Sequence, residues 1–144
     1  MTTSVLSTST LLALASRGLT EAGETAAPGQ RYALAHLAAL RAAAAVLACR
    51  ARPLTAPARR TRPTSAWVLL RTVAPELGEW ADFFAAGARK RAAAEAGLPG
   101  VVTSREADDL VRDAERFLAV VEVSVGLDAD QLTLPGDRFL LASG

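Results

Sequence analysis

The chain has 144 residues, and 16 Lys and Arg against 15 Asp and Glu leave a formal net charge of +1, which excludes a strongly basic surface spread over the whole molecule. A single cysteine, Cys49, excludes an intrachain disulfide, and with a single histidine, His36, the chain does not supply a Cys/His zinc site by itself. No metal and no cofactor is expected. Length sets one hydrophobic core, and a composition dominated by alanine, leucine and arginine favours helix, because alanine and straight-chain residues lose least on entering one. The excess of arginine over lysine, 15 to 1, fits the codon usage of a high-GC genome.

The first helix is predicted from about Val5 to Ala22, with Leu6, Leu11, Leu14 and Leu19 supplying its apolar spacing. Its "LLALAS" patch carries an Ala-Leu-Ala triplet, but no Lys or Arg precedes Arg17, so the positive region of a leader is missing. No apolar run is read as approaching the ~20 residues of a membrane-spanning helix, and a cytoplasmic protein is expected. "GETAAPG" ends the first helix, and Pro28 suits the first turn of the next, "RYALAHLAALRAAAAVLACR", which runs to about Ala51. The connector over 50–64 is rich in proline and arginine, and Pro53, Pro57 and Pro63 cannot continue a helix.

A third segment spans Ser65 to about Ala96, with Pro75 expected to kink or split it. Leu70, Val73, Leu77, Trp80, Phe84 and Ala88 form its stripe. Trp67 lies off that stripe and is the candidate interface aromatic. After "GLPG", Thr103 and Glu106 make a T-x-x-E capping box, which starts a fourth helix carrying Leu110, Ala114, Phe117, Val121 and Val125 on one face to about Val125. The expected fold is all-α: an antiparallel up-and-down four-helix bundle over residues 1–126, followed by a tail over 127–144 without helical period.

Charge is uneven. Arg50, Arg52, Arg59, Arg60 and Arg62 have no acid between them, a run of +5 and the candidate nucleic-acid contact, although such a run is more often a solvated loop. From Arg105 to Glu122, six acids face three arginines, with Asp108–Arg112 and Arg105–Asp109 at i,i+4 spacing and expected to pair there. Phosphate-cradling glycine motifs, a G-x-S-x-G elbow and H-E-x-x-H are all missing. What remains for catalysis is Arg31 and His36. Five residues of helix rotate their side chains apart by ~140°, so they do not share a face. His36 falls among Leu37, Leu40 and Leu47 on the side expected to look inward; Arg31 lies nearer the rim. The preferred reading is a packed, hydrogen-bonded histidine. The alternative is an acid/base catalyst, brought to Arg31 of a second subunit by a twofold dimer.

The second helix, with its aromatic start and alanine-rich run, and the last, "SREADDLVRDAERFLAVVEVSVG", resemble those of HEPN domains (higher eukaryotes and prokaryotes nucleotide-binding). The similarity is to a small branch of high-GC Gram-positive bacteria and covers roughly Leu11 to Gly126. It implies a helical bundle that commonly dimerises, in a family containing both ribonucleases and non-catalytic nucleotide- or RNA-binding members. The family's ribonuclease signature, Arg then four to six residues then His, normally lies on a late helix with a polar residue after the Arg. Here the late helix has Arg105, Arg112 and Arg116 but no His, and the one Arg-x4-His is Arg31 to His36, with Tyr32 after the Arg. Three functions follow as expectations. The first is a non-catalytic module associated with RNA, DNA or nucleotides, as a homodimer and away from membranes. The second is a metal-independent ribonuclease using Arg31 and His36. The third is an interaction subunit of a toxin–antitoxin or DNA-repair pair, whose partner protein is encoded nearby.

Overall fold

The structure, a computed structural model, describes residues 6–50 and 65–132, with side chains to residue 129. All regular structure among them is helical: α1 (Thr8–Gly23), α2 (Pro28–Arg50), α3 (Ala66–Val73), a 3-10 turn (Pro75–Leu77), α4 (Gly78–Ala86), α5 (Ala88–Glu95) and α6 (Ser104–Leu132). Local chemistry sets most of these boundaries. Ser7 caps α1 by accepting from the Thr10 amide at 3.1 Å, and Ser65 caps α3 by accepting from the Trp67 amide at 3.1 Å. Pro28 opens α2, where a missing N–H costs nothing. The capping box of α6 is present in both halves: the Glu106 amide donates to Thr103 Oγ1 at 3.0 Å, and the Thr103 amide donates to Glu106 Oε1 at 2.9 Å.

The third segment is divided more finely than a single kink. Ala74, forced out of helical backbone by the proline after it, sits at φ −130° and ψ 75°. Pro75 then starts the 3-10 turn, and Gly87 separates α4 from α5. Trp67 is 5% exposed and stacks on Phe84 at 5.1 Å between ring centroids, so it is a core residue and not the interface aromatic expected from the sequence. α6 continues past the expected end at Val125 to Leu132, so 127–132 belong to the helix and not to a tail. Its later turns are held by Asp128, whose carboxylate accepts from Arg50 Nε at 2.8 Å.

α2 is the central element, packed against α1, α3, α5 and α6. Its buried face is largely alanine, including Ala35, Ala38, Ala39, Ala42 and Ala43, whereas Leu34 and Leu40 are only partly buried. A small side chain lets neighbouring backbones come close: a Cβ added to Gly18 of α1 would lie 3.4 Å from that of Ala38. What alanine does not fill, a ring cluster does. Phe84 and Phe117 are 5.1 Å apart, and Trp80 lies 5.4 Å from Phe117, with such pairs contributing ~0.5–1.5 kcal/mol beyond area burial. The expectation that no segment is long and apolar enough to cross a membrane is corrected by α2, whose 23 residues include a window of mean hydropathy 1.6; half of that window is buried inside the protein.

Candidate functional site

His36, 1% exposed, packs against the ring cluster centred on Phe84. Trp67 and Phe84 meet it edge-on at 5.9 and 6.0 Å. Its Nε2 is 2.8 Å from the Phe84 carbonyl oxygen. A carbonyl only accepts, so Nε2 carries the proton and Nδ1 is a bare lone pair, buried without a hydrogen-bond partner among the described residues. Burial, chiefly, holds the imidazole below its ordinary value of 6.5; the Phe84 carbonyl and Glu95 oppose this, and Arg91 adds to it. Neutral imidazole is the resting form. The bond ties α2 to the last turn of α4, next to the break at Gly87, whose N–H donates to the same carbonyl at 3.1 Å. Tyr32, one turn before His36, presses its hydroxyl on that break, only 2.8 Å from where a Cβ on Gly87 would stand.

Arg31 belongs to a different site. Its Nε donates to the Thr25 carbonyl and its Nη2 to the Ala26 carbonyl, both at 2.9 Å, and its Nη1 pairs with Asp108. The guanidinium therefore closes the α1–α2 turn and ties it to the start of α6. It shares no hydrogen-bond partner with His36. Asp108 is thereby drawn away from Arg112, which pairs instead with Asp109 at 2.7 Å and i,i+3 spacing, so the expected i,i+4 pairs are replaced.

Arg50, the first arginine of the basic run, is engaged on three sides: by Asp128, by Glu76 of the 3-10 turn, and by Ser124 Oγ at 3.0 Å. Glu76, held by this guanidinium, titrates below the usual carboxylate range. Beside it, burial and then the Asp128 carboxylate push the Cys49 thiol up, which keeps it protonated and a poor nucleophile. Arg52, Arg59, Arg60 and Arg62 lie outside the described residues. The Arg50, Glu76 and Asp128 cluster was not legible in sequence, because its members lie on three different elements whose relative placement no periodicity fixes.

Two open hollows flank this cluster. One, of 490 Å³, lies between the 3-10 turn with α4 and α6, lined by Glu76, Glu79, Trp80, Phe83 and Asp113. The other, of 360 Å³, shares Glu76 and runs along Val120, Val123 and Leu127 of α6 to Asp128. Phe83, Val123 and Leu127 are exposed there, and sequence reading missed this face because it looked only for buried stripes.

These elements now have a counterpart among known proteins. A family model described as SAV_6107-like HEPN matches residues 22–122, from the last two residues of α1 into α6. The chain belongs to the HEPN family. The match includes Arg31, His36 and Arg50 and ends within α6, before Val123 and Leu127. Comparisons with curated proteins and with solved structures give no match. Within this HEPN chain, α6 is the late helix, and it carries Arg105, Arg112 and Arg116 but no histidine.

Proposed function

We propose that this chain is a non-catalytic HEPN module that associates with nucleic acid or nucleotides through phosphate contacts, in the cytoplasm and as a homodimer. The observation that carries the non-catalytic reading is the seating of His36. A ribonuclease base must reach a 2′-hydroxyl within hydrogen-bond distance, and this imidazole is 1% exposed with its N–H already given to the Phe84 carbonyl. Arg31 is likewise engaged by two carbonyls and Asp108, so a ribonuclease built across a dimer would have to dismantle both arrangements. The nucleic-acid part of the reading is supported by family membership and by the run of arginines. Since Arg50 is neutralised by Glu76 and Asp128, the phosphate contacts fall to Arg52, Arg59, Arg60 and Arg62. We read the four helical segments as an up-and-down bundle, supported by the packing of α1 on α2 and α6 and of α2 on α3, α5 and α6.

The test is fluorescence anisotropy with labelled single-stranded RNA and DNA at several salt concentrations, together with sequencing of nucleic acid copurified from the native host. Each arginine that no longer neutralises a phosphate lowers the slope of log affinity against log salt by about 0.7 to 0.9. Changing Arg59, Arg60 and Arg62 to Ala should therefore flatten it by roughly two units. An unchanged slope removes these residues from the binding surface. RNA cleavage in EDTA that His36→Gln abolishes without loss of folding overturns the non-catalytic reading. A second reading, an interaction subunit, is favoured by the exposed apolar residues of α4 and α6.

A further inference from the structure

We infer that the face formed by α4 and the second half of α6 docks a basic amphipathic helix of another protein. On α6, Val120, Val123 and Leu127 follow i, i+3, i+7 spacing and therefore share one side of the helix. Val123 and Leu127 are 65% and 58% exposed, and Phe83 of α4 is 46% exposed. With Asp113 they run along about 20 Å of helix at 1.5 Å per residue, the length of a partner helix of roughly four turns. The two hollows that meet at Glu76, of 490 and 360 Å³, supply the concavity that such a helix needs for its anchors.

Charge decides the occupant. Glu76 and Asp128 share one arginine, Arg50. Asp113 is matched by Arg116 at 3.7 Å, and the Glu79 carboxylate makes no hydrogen bond or ion pair among the described residues. Among the described residues that line these hollows or pair with their lining, four carboxylates meet two guanidinium groups, a surplus of two negative charges. A second copy of the same face would set acid against acid, and a nucleic acid would bring phosphates to it. A helix with apolar residues at i, i+3 or i+4 and i+7, flanked by Lys and Arg, satisfies both the groove and the charge. The inference rests on the α4–α6 face alone and not on the phosphate contacts proposed above.

The experiment places a benzoylphenylalanine cross-linker at Val123 and, separately, at Leu127, both exposed enough to accept it, in the chain expressed in its native host. Cross-linked peptides are identified by mass spectrometry, with Leu98, 55% exposed on the turn before α6, as the control position. The expected product is a peptide of another protein with that apolar spacing and an excess of Lys and Arg. Glu79→Lys should lower its yield about twofold to fivefold, the effect of reversing one exposed charge. Cross-links to this chain itself, to nucleic acid or to a peptide without basic excess overturn the inference. So does a yield at both positions no higher than at Leu98, or one indifferent to Glu79→Lys.

Discussion

Replacing His36 by glutamine separates a packed histidine from a catalytic one, and the structure sets the size of the effect. Glutamine retains an amide N–H able to reach the Phe84 carbonyl, so the loss is chiefly that of the two edge-on ring contacts with Trp67 and Phe84. At ~0.5–1.5 kcal/mol for each such contact, His36→Gln should cost about 1–3 kcal/mol at pH 7.5. The carbonyl would not be orphaned even if glutamine failed to reach it, because it also accepts from the Gly87 amide at 3.1 Å. The dependence on pH is a sharper signature. Burial lowers the folded-state value of His36 below its ordinary 6.5, so the unfolded chain binds the proton first. The stability of the neutral, buried form is fully present above pH 6.5 and is lost as pH falls below it. Between pH 7.5 and 5.5 one such group removes at most about 1.4 kcal/mol, a term that glutamine lacks. Urea denaturation followed by the fluorescence of Trp67 and Trp80 should therefore show the gap between wild type and His36→Gln narrowing by up to that amount as the buffer is acidified. Stability curves that run parallel from pH 7.5 to 5.5 would refute the reasoning, because they would mean that His36 titrates alike in both states.

Gly87→Ala should destabilise by up to about 2 kcal/mol, an overpacking cost of ~1–3 kcal/mol reduced by the ~0.4–1 kcal/mol that alanine gains by restricting the unfolded chain, since its Cβ would stand 2.8 Å from the Tyr32 hydroxyl. In a Tyr32→Phe background the same change should become neutral or stabilising, and equal effects in both backgrounds by thermal denaturation would show that the hydroxyl is not the obstacle. Thr103→Ala removes the acceptor for the Glu106 amide and should cost about 1 kcal/mol by chemical denaturation, with the first turn of α6 exchanging its amides faster. Arg50→Ala leaves Glu76 and Asp128 facing each other without their shared cation, and should lower the melting temperature more at low salt than at high salt, because salt screens the uncovered repulsion.

How far these features are legible in the sequence depends on the range over which each is determined. Caps are local, so Pro28 and the Thr103–Glu106 box are readable from a few residues. Trp67 is not, and the reason is Pro75. A helical wheel drawn over the whole third segment carries 100° per residue straight through a break at Ala74, so the stripe of α4 says nothing about the phase of α3. Taken alone, α3 has Trp67 and Leu70 buried at i,i+3 and Val68 and Leu69 exposed, which is an ordinary amphipathic turn. The second helix inverts the usual expectation for another reason. An amphipathic surface helix turns its large residues inward, whereas α2 is contacted on several sides and gives its closest approaches to alanine. Leucine is left to the rims between neighbours.

His36 joins both lessons. Its inward position follows from the helical period of α2, because it recurs with Tyr32, Ala39 and Ala43 on the buried side. Its partner is a backbone carbonyl 48 residues away, on a helix whose end is fixed by Gly87, and a main-chain acceptor leaves no side-chain signature to read. The same holds for the Arg-x4-His spacing, whose two side chains the fold takes into different surroundings. Spacing along one helix fixes only the angle between two side chains, whereas catalysis needs a shared volume open to substrate. Arg31 is drawn to the α1–α2 turn by two carbonyls and to α6 by Asp108, while His36 is drawn into the ring cluster by Trp67 and Phe84. Each arrangement satisfies its own residue's polar or aromatic requirements separately, so within one subunit nearer partners hold apart two side chains that the ~140° between them on the helix already sets on different faces.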